Sequence, residues 1–294
     1  MNYLIVGSGY TSKMYGRAFN KLSIKYFISS RDKKKGAIQT YSDIKKLKIS
    51  HAFVCTPIDY HFKCINWLVE NNVTNIYCEK PYSFKKRTFP NHWKKSKIKI
   101  LCNRRYYDWV ESAKNICLEN KIKTILAICP EKISDRHKDI DQVIIGNSVH
   151  IFDLISYMTG KVIKIKSTEV YDNFINVNYS TESCKSNILI CTLNSSTNTE
   201  IRIFFDNSNV LKISPIEEAI YSTSMKIIEP DESHPSRRYK PNNKEFYERK
   251  FDTQIKQGFL ELIKDIVDNG DALKLPTLQE HIYLLNDIDQ MIKS

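Results

Sequence analysis

Glycine and proline are scarce, at 8 and 9 of 294 residues, which excludes a collagen-like or low-complexity chain. No apolar run approaches the ~20 residues that a membrane-spanning helix needs. The opening residues read neither as a basic leader nor as a small-residue cleavage site, so the expectation is a cytoplasmic protein with no membrane partner. The 8 cysteines include no C-x-x-C pair and mostly sit in apolar strings, such as AFVC at Cys55 and NILIC at Cys191. That pattern predicts buried reduced thiols and no metal site. Acidic residues are short in one region only: residues 1–120 carry 23 Lys and Arg against 8 Asp and Glu, whereas 121–294 carry 22 against 25. A basic region of this kind attracts nucleic acid, an acidic membrane or a small polyanion such as a phosphorylated cofactor. The chain has no recognition helix with clustered basic residues and no RNP motif, so a nucleic-acid partner is not expected.

What remains is a globular composition, 41% apolar and 27% charged, long enough for two domains at ~150 residues each. The first part alternates short apolar strings with helical periodicity. Strands are predicted at Tyr3–Val6, Tyr26–Ile28, Ala52–Cys55, Asn75–Cys78 and Ile98–Cys102. Between the third and fourth, Cys64, Ile65, Leu68 and Val69 recur at helical spacing. Continuous apolar strands between helices indicate an α/β fold with a doubly wound parallel sheet. After about residue 120 the texture turns β-rich, and the economical reading is an open, mainly antiparallel sheet. One helix interrupts it, with His150, Asp153, Leu154 and Tyr157 on one face and Gly160 as a stop. Phe251 to Val267 and Thr277 to Ile292 predict two closing helices, and Glu229 to Lys250 reads as a long surface excursion. The expected domains are 1–120 and 121–294, with the last helices packing back on the first.

Gly7-Ser8-Gly9-Tyr10-Thr11-Ser12 follows the first strand and opens a helix. There Gly7 makes the tight turn, Gly9 admits a pyrophosphate, and the helix N-terminus supplies partial positive charge. Ser12 replaces the third glycine of a dinucleotide-binding motif, which predicts a looser helix crossing. The second strand ends in Ser29-Ser30-Arg31, where Ser30 and Arg31 suit the 2′-phosphate of NADP; Asp32 keeps NAD as the alternative.

Thr56-Pro57-Ile58-Asp59-Tyr60-His61 follows the third strand, and Glu79-Lys80-Pro81 ends the next. With Asn103-Arg104-Arg105-Tyr106 and the His150-x-x-Asp153 helix, this resembles the Gfo/Idh/MocA oxidoreductases over nearly the whole chain. The resemblance implies a Rossmann domain, then an α/β domain with an open sheet, nicotinamide lying between them, and pairing of copies through the outer sheet face as a homodimer or homotetramer. It implies cofactor contacts at Thr56, Pro57, His61 and Glu79, alongside Gly7, Gly9, Tyr10, Thr11, Ser12, Ser30 and Arg31. Lys80 would then serve as the acid/base, since a carbinol that loses hydride must also lose a proton. His150 resembles the second acid/base or substrate-orienting group. Many members carry Asp four residues before this His; here Gly146 stands there, and Asn147 is the available polar partner. Arg105, Tyr106, Asn147 and Asp153 are the candidate substrate residues, with packing an equal alternative for Arg105 and Tyr106. The implied activity is hydride transfer between NADP or NAD and a hydroxyl-bearing carbon of a sugar. Ser214 to Glu218 and Tyr239-Lys240-Pro241 are similar to members acting on nucleotide-activated sugars. A dinucleotide-binding regulator without turnover is the alternative.

Overall fold

The computed structural model describes residues 1–30, 46–85, 87–131, 140–160, 164–171, 174–180, 184–191, 197–247 and 254–293. The chain divides into two compact units, Met1–Tyr107 with Phe251–Asn286, and Asp108–Lys250 with Asp287–Ser294.

In the first unit, β1 (Tyr3–Val6), β2 (Tyr26–Ser29), β3 (His51–Val54), β4 (Asn75–Cys78) and β5 (Lys97–Ile100) form one parallel sheet in the order β2-β1-β3-β4-β5. Tyr3 is level with both Tyr26 and His51. β1 and β3 are buried at every residue, which is why they read as unbroken apolar strings rather than as alternation. Helix α1 (Tyr10–Lys21) packs its buried Tyr15, Ala18 and Phe19 inward. Phe53 meets the rings of Tyr15 and Phe19 at 5.2 and 5.5 Å between centroids. Helix α2 (Ile58–Glu70) joins β3 to β4.

The closing segment returns to this unit. Helix α5 (Phe259–Asn269) buries Phe259, Leu262, Ile263 and Ile266, one face at 3- and 4-residue steps, and Phe259 reaches Tyr15 at 4.7 Å. It begins eight residues later than the periodicity predicts. Gly258, at φ +85°, turns the chain so close to the Asn103 carbonyl that a Cβ there would lie 2.4 Å from its oxygen. Ile255 is buried ahead of the helix, so its burial imitates helical spacing without belonging to a helix. Helix α6 (Leu278–Lys293) follows Thr277, which exchanges hydrogen bonds with Glu280 as a capping box.

The second unit contains helix α3 (Val110–Glu119), β6 (Ile122–Pro130), helix α4 (Val149–Thr159), β7 (Lys164–Tyr171), β8 (Phe174–Ser180), β9 (Lys185–Cys191), β10 (Glu200–Phe205), β11 (Val210–Ile213), β12 (Ala219–Ile228) and β13 (Arg238–Tyr247). The eight strands form one sheet, ordered β13-β12-β11-β10-β6-β9-β8-β7. Its described pairings are antiparallel except β6 with β9. Alternation sets the faces: Ile201, Ile203 and Phe205 point to the core, and Leu126 is 44% exposed on the other side. On that outer face the Asn187 amide donates to the Asn176 and Asn178 side-chain oxygens.

The expected excursion over 229–250 is corrected. Arg238–Tyr247 is a full strand paired with β12, and only the tip near Asp231 and His234 turns. Its Lys, Asn and Pro content disguises it because residues 239–244 are exposed.

Among the described residues, Cys55, Cys78, Cys102, Cys117, Cys129 and Cys184 are buried and Cys64 is half-buried. No group of three or more His, Cys, Asp or Glu among them could hold a metal ion, and no helix among them is long and apolar enough to cross a membrane.

Candidate functional site

A parallel sheet ends all its strands on one edge, and the order β2-β1-β3-β4-β5 reverses direction between β1 and β3. That reversal opens a crevice at the carboxyl ends of those two strands. The ladder continues one residue past each strand: Gly7 N–H donates to Ser29 O at 2.8 Å, Cys55 N–H to Val6 O at 2.8 Å, and Glu79 N–H to Val54 O at 3.0 Å. The edge therefore presents, side by side, Ser30, the Gly7 to Gly9 loop, Thr56 and Pro57, then Glu79 and Lys80.

Gly7 has φ +122°, and a Cβ there would lie 2.5 Å from the Cys55 oxygen, so no other residue fits. Gly9 caps α1, and a Cβ built on it meets nothing within 4 Å. The surface over the helix start is thus open. The first intrahelical bond is Lys13 N–H to Gly9 O, which leaves the N–H groups of Tyr10, Thr11 and Ser12 without helical acceptors. An open cradle over free N–H donors fits a pyrophosphate. Ser12 is buried, and its hydroxyl lies 3.2 Å from where a Gly7 Cβ would be, filling space that a third glycine would leave. The Ser30 hydroxyl donates to that of Ser8 at 2.9 Å, joining the end of β2 to the glycine loop. Arg31 and Asp32 lie outside the described residues. A cavity of about 320 Å³ runs from Gly7 and Ser8 along the flank of α1 to Tyr26, with Lys13 and Arg17 on its wall. It follows the side of the sheet rather than the strand ends.

Past β3, Pro57 at φ −57° starts α2, and Thr56 places its hydroxyl 3.8 Å from the Cys64 sulfur. His61, four residues into α2, is fully buried. Its Nε2 lies 2.8 Å from the Thr56 oxygen and its Nδ1 lies 3.0 Å from the Pro81 oxygen. Past β4, the Tyr15 hydroxyl donates to Glu79 Oε1 at 3.3 Å. Burial pushes the Glu79 carboxyl well above the usual carboxylate range, against the opposing pull of Lys80. Lys80 is half-buried. Tyr15 is a contact that sequence reasoning missed, because a buried aromatic on an apolar helix face looks like core alone.

Arg105 and Tyr106 meet the return segment of their own unit. The Arg105 guanidinium donates to the Lys274 carbonyl at 2.8 Å, and the Tyr106 hydroxyl donates to Asp265 Oδ2 at 2.5 Å while accepting the Lys274 N–H at 3.2 Å. Both side chains take part in packing.

In the second unit, Ile144–Ser148 form a π-helical turn directly before α4, with Gly146 inside it. Such a turn widens the helix by one residue, and it often marks a functional position. The Glu131 carboxylate, just past β6, accepts from Ser148 Oγ at 2.7 Å and from Asn147 Nδ2 at 3.2 Å. Glu131 is a second residue the sequence did not point to. His150 is half-buried and Asp153 is buried. On the same face the Tyr157 hydroxyl donates to Glu111 on α3 at 2.7 Å, which binds α4 to α3.

No protein-family model and no curated protein matches the chain. Solved structures do. A dehydrogenase (MviM) from Clostridium difficile superposes with a TM-score of 0.75 at 14% identity, covering 100% of this chain and 99% of its own. The super-repressor mutant of Gal80p from Saccharomyces cerevisiae gives 0.78 at 13%, covering 100% and 95%. UDP-N-acetylglucosamine 3-dehydrogenase GnnA from Acidithiobacillus ferrooxidans gives 0.74 at 11%, covering 99% and 96%. The chain shares the fold of these proteins. It is therefore similar in architecture, from end to end, both to dehydrogenases and to a repressor.

Proposed function

We propose that this chain is an NAD(P)-dependent oxidoreductase that transfers hydride to or from a hydroxyl-bearing carbon of a sugar. The observation that carries the reading is the carboxyl edge of the parallel sheet, where an open glycine cradle after β1, at the reversal of strand order, and a lysine after β4 stand on either side of the end of β3. When bound, the nicotinamide supplies or accepts the hydride. The chain's own residues do the rest. Gly7, Gly9 and the N–H groups of Tyr10, Thr11 and Ser12 hold phosphate; Thr56, Pro57 and Glu79 border the same edge; Ser30 with Arg31 selects NADP over NAD. Lys80 takes the proton from the substrate hydroxyl in oxidation and returns it in reduction. In the second unit, His150 orients the substrate oxygen or shares its proton, with Asn147 as the polar neighbour and Asp153 as its support. The likeness to GnnA and the basic first 120 residues support a nucleotide-activated sugar as substrate. The open outer face of the eight-stranded sheet supports pairing of two or four copies.

Titration with NADPH and with NADH, followed by nicotinamide fluorescence, tests the reading. Tighter NADPH binding, with the preference lost in Arg31→Ala, is expected; no binding of either nucleotide refutes it. A second reading, binding without turnover, is favoured by Gly146 and by the likeness to Gal80p. Hydride transfer from any member of a UDP-sugar panel to oxidised nicotinamide, abolished in Lys80→Ala with nucleotide binding kept, would exclude it.

A further inference from the structure

We propose that His61 is a positioning residue that fixes the backbone carrying Lys80, an inference that rests on the role given to Lys80 above. Upstream, the lysine is held by the sheet: Cys78 is in register with Val54 and Ile100, and Glu79 N–H continues the ladder to Val54 O. Downstream comes Pro81, which has no N–H to donate, so only its carbonyl can be tied down. That carbonyl faces His61 Nδ1 at 3.0 Å. The opposite ring nitrogen faces the Thr56 carbonyl at 2.8 Å. One imidazole therefore spans the two turns that leave neighbouring strands β3 and β4.

The ring is 0% exposed, so water does not compete for either carbonyl. It is also held from behind, because α2 is seated by buried Ile65, Leu68 and Val69. A neutral imidazole has one N–H and an imidazolium has two. The form that serves Pro81 carries its proton on Nδ1. Proton transfer requires reacting atoms within ~3 Å, and a misplacement of ~1 Å costs on the order of 10²-fold in rate. A strut one peptide from Lys80 acts on that scale without touching the reacting atoms.

The test uses His61→Leu, which keeps the apolar volume and removes the donors, and His61→Gln, which restores one. Three properties are read: nicotinamide binding, deuterium uptake over residues 79–85, and the rate of Lys80 acetylation by acetic anhydride. In His61→Leu, uptake and acetylation should rise roughly tenfold and fall back in His61→Gln. For any UDP-sugar the wild type turns over, kcat should fall about 10²-fold with KM little changed. Wild-type uptake and acetylation rates in His61→Leu would overturn the proposal. Loosening of residues 79–85 in a protein that binds neither nucleotide would uphold the strut and refute the oxidoreductase reading. Should His61→Leu not fold, long-range ¹⁵N correlations on the wild type decide. A proton on Nδ1 upholds the proposal, and a proton on Nε2 alone overturns it.

Discussion

Replacing His281 with leucine should make the protein markedly more resistant to acid. His281 lies in the first turn of α6, 1% exposed, and neither of its ring nitrogens has a hydrogen-bond partner among the described residues. Burial, with the nearby charges of Arg105, Arg87 and Lys80, pushes its pKa down from 6.5 to about 3. The folded state thus refuses a proton that the unfolded chain accepts below pH 6.5. Stability rises with pH across the window from about 3 to 6.5, and is lost as pH falls through it. At ~1.4 kcal/mol per pKa unit, the loss between pH 7 and pH 5 is about 2 kcal/mol from this residue alone. Leucine has nothing to protonate, and it removes two unsatisfied polar atoms worth a further ~1–3 kcal/mol. Urea denaturation of both proteins at pH 5, 6 and 7 reads the difference directly, because all other titrating groups cancel. The gap between His281→Leu and wild type should widen by about 2 kcal/mol on going from pH 7 to pH 5. A gap that stays constant would refute the assignment of a buried neutral imidazole.

Glu79 has the opposite sign. Its carboxyl is raised, so its proton is held in the fold, and the stability it contributes at low pH is lost as pH rises past its folded value; Glu79→Gln should flatten that part of the urea-denaturation profile. Lys80→Ala should lower turnover about 10²–10⁴-fold while nicotinamide fluorescence still reports binding. Gly7→Ala forces a Cβ against the Cys55 carbonyl in a left-handed backbone, so a loss of several degrees in Tm and of nucleotide binding is expected by thermal melting and titration. Tyr106→Phe removes the bond to Asp265 and should cost about 1.5–3 kcal/mol in urea denaturation with nucleotide affinity unchanged; a changed KM for substrate instead would place Tyr106 in the site.

The parts of this molecule that were legible in its sequence are those governed by one local rule. A strand buried on both faces must be apolar throughout, so β1 and β3 announce themselves. A turn that must pass 2.5 Å from a neighbouring carbonyl must be glycine, so Gly7 does as well. What stayed hidden depends on distant partners. β13 is paired with β12 and exposed over residues 239–244, so its composition there gives no signal. Gly258 is required by the Asn103 carbonyl, 155 positions away in the chain, and the Tyr15 hydroxyl reaches a carboxylate on another strand end. For His61 the letters Thr-Pro-x-x-x-His marked the position, but only the two carbonyls around the ring show what the side chain does there.

The first unit is discontinuous along the chain, and this has a consequence for its synthesis. Residues 1–107 leave the ribosome early, yet the apolar face that covers Tyr15 belongs to α5, which emerges only after the whole of the second unit's sheet. Until then the nascent parallel sheet carries an uncovered aromatic flank, and the second unit, although all its strands have been made, still lacks its own closing residues, 287–294. Both units thus wait on the end of the chain, and the glycine loop after β1, among the first segments made, sits in a unit that becomes native only when synthesis is nearly finished.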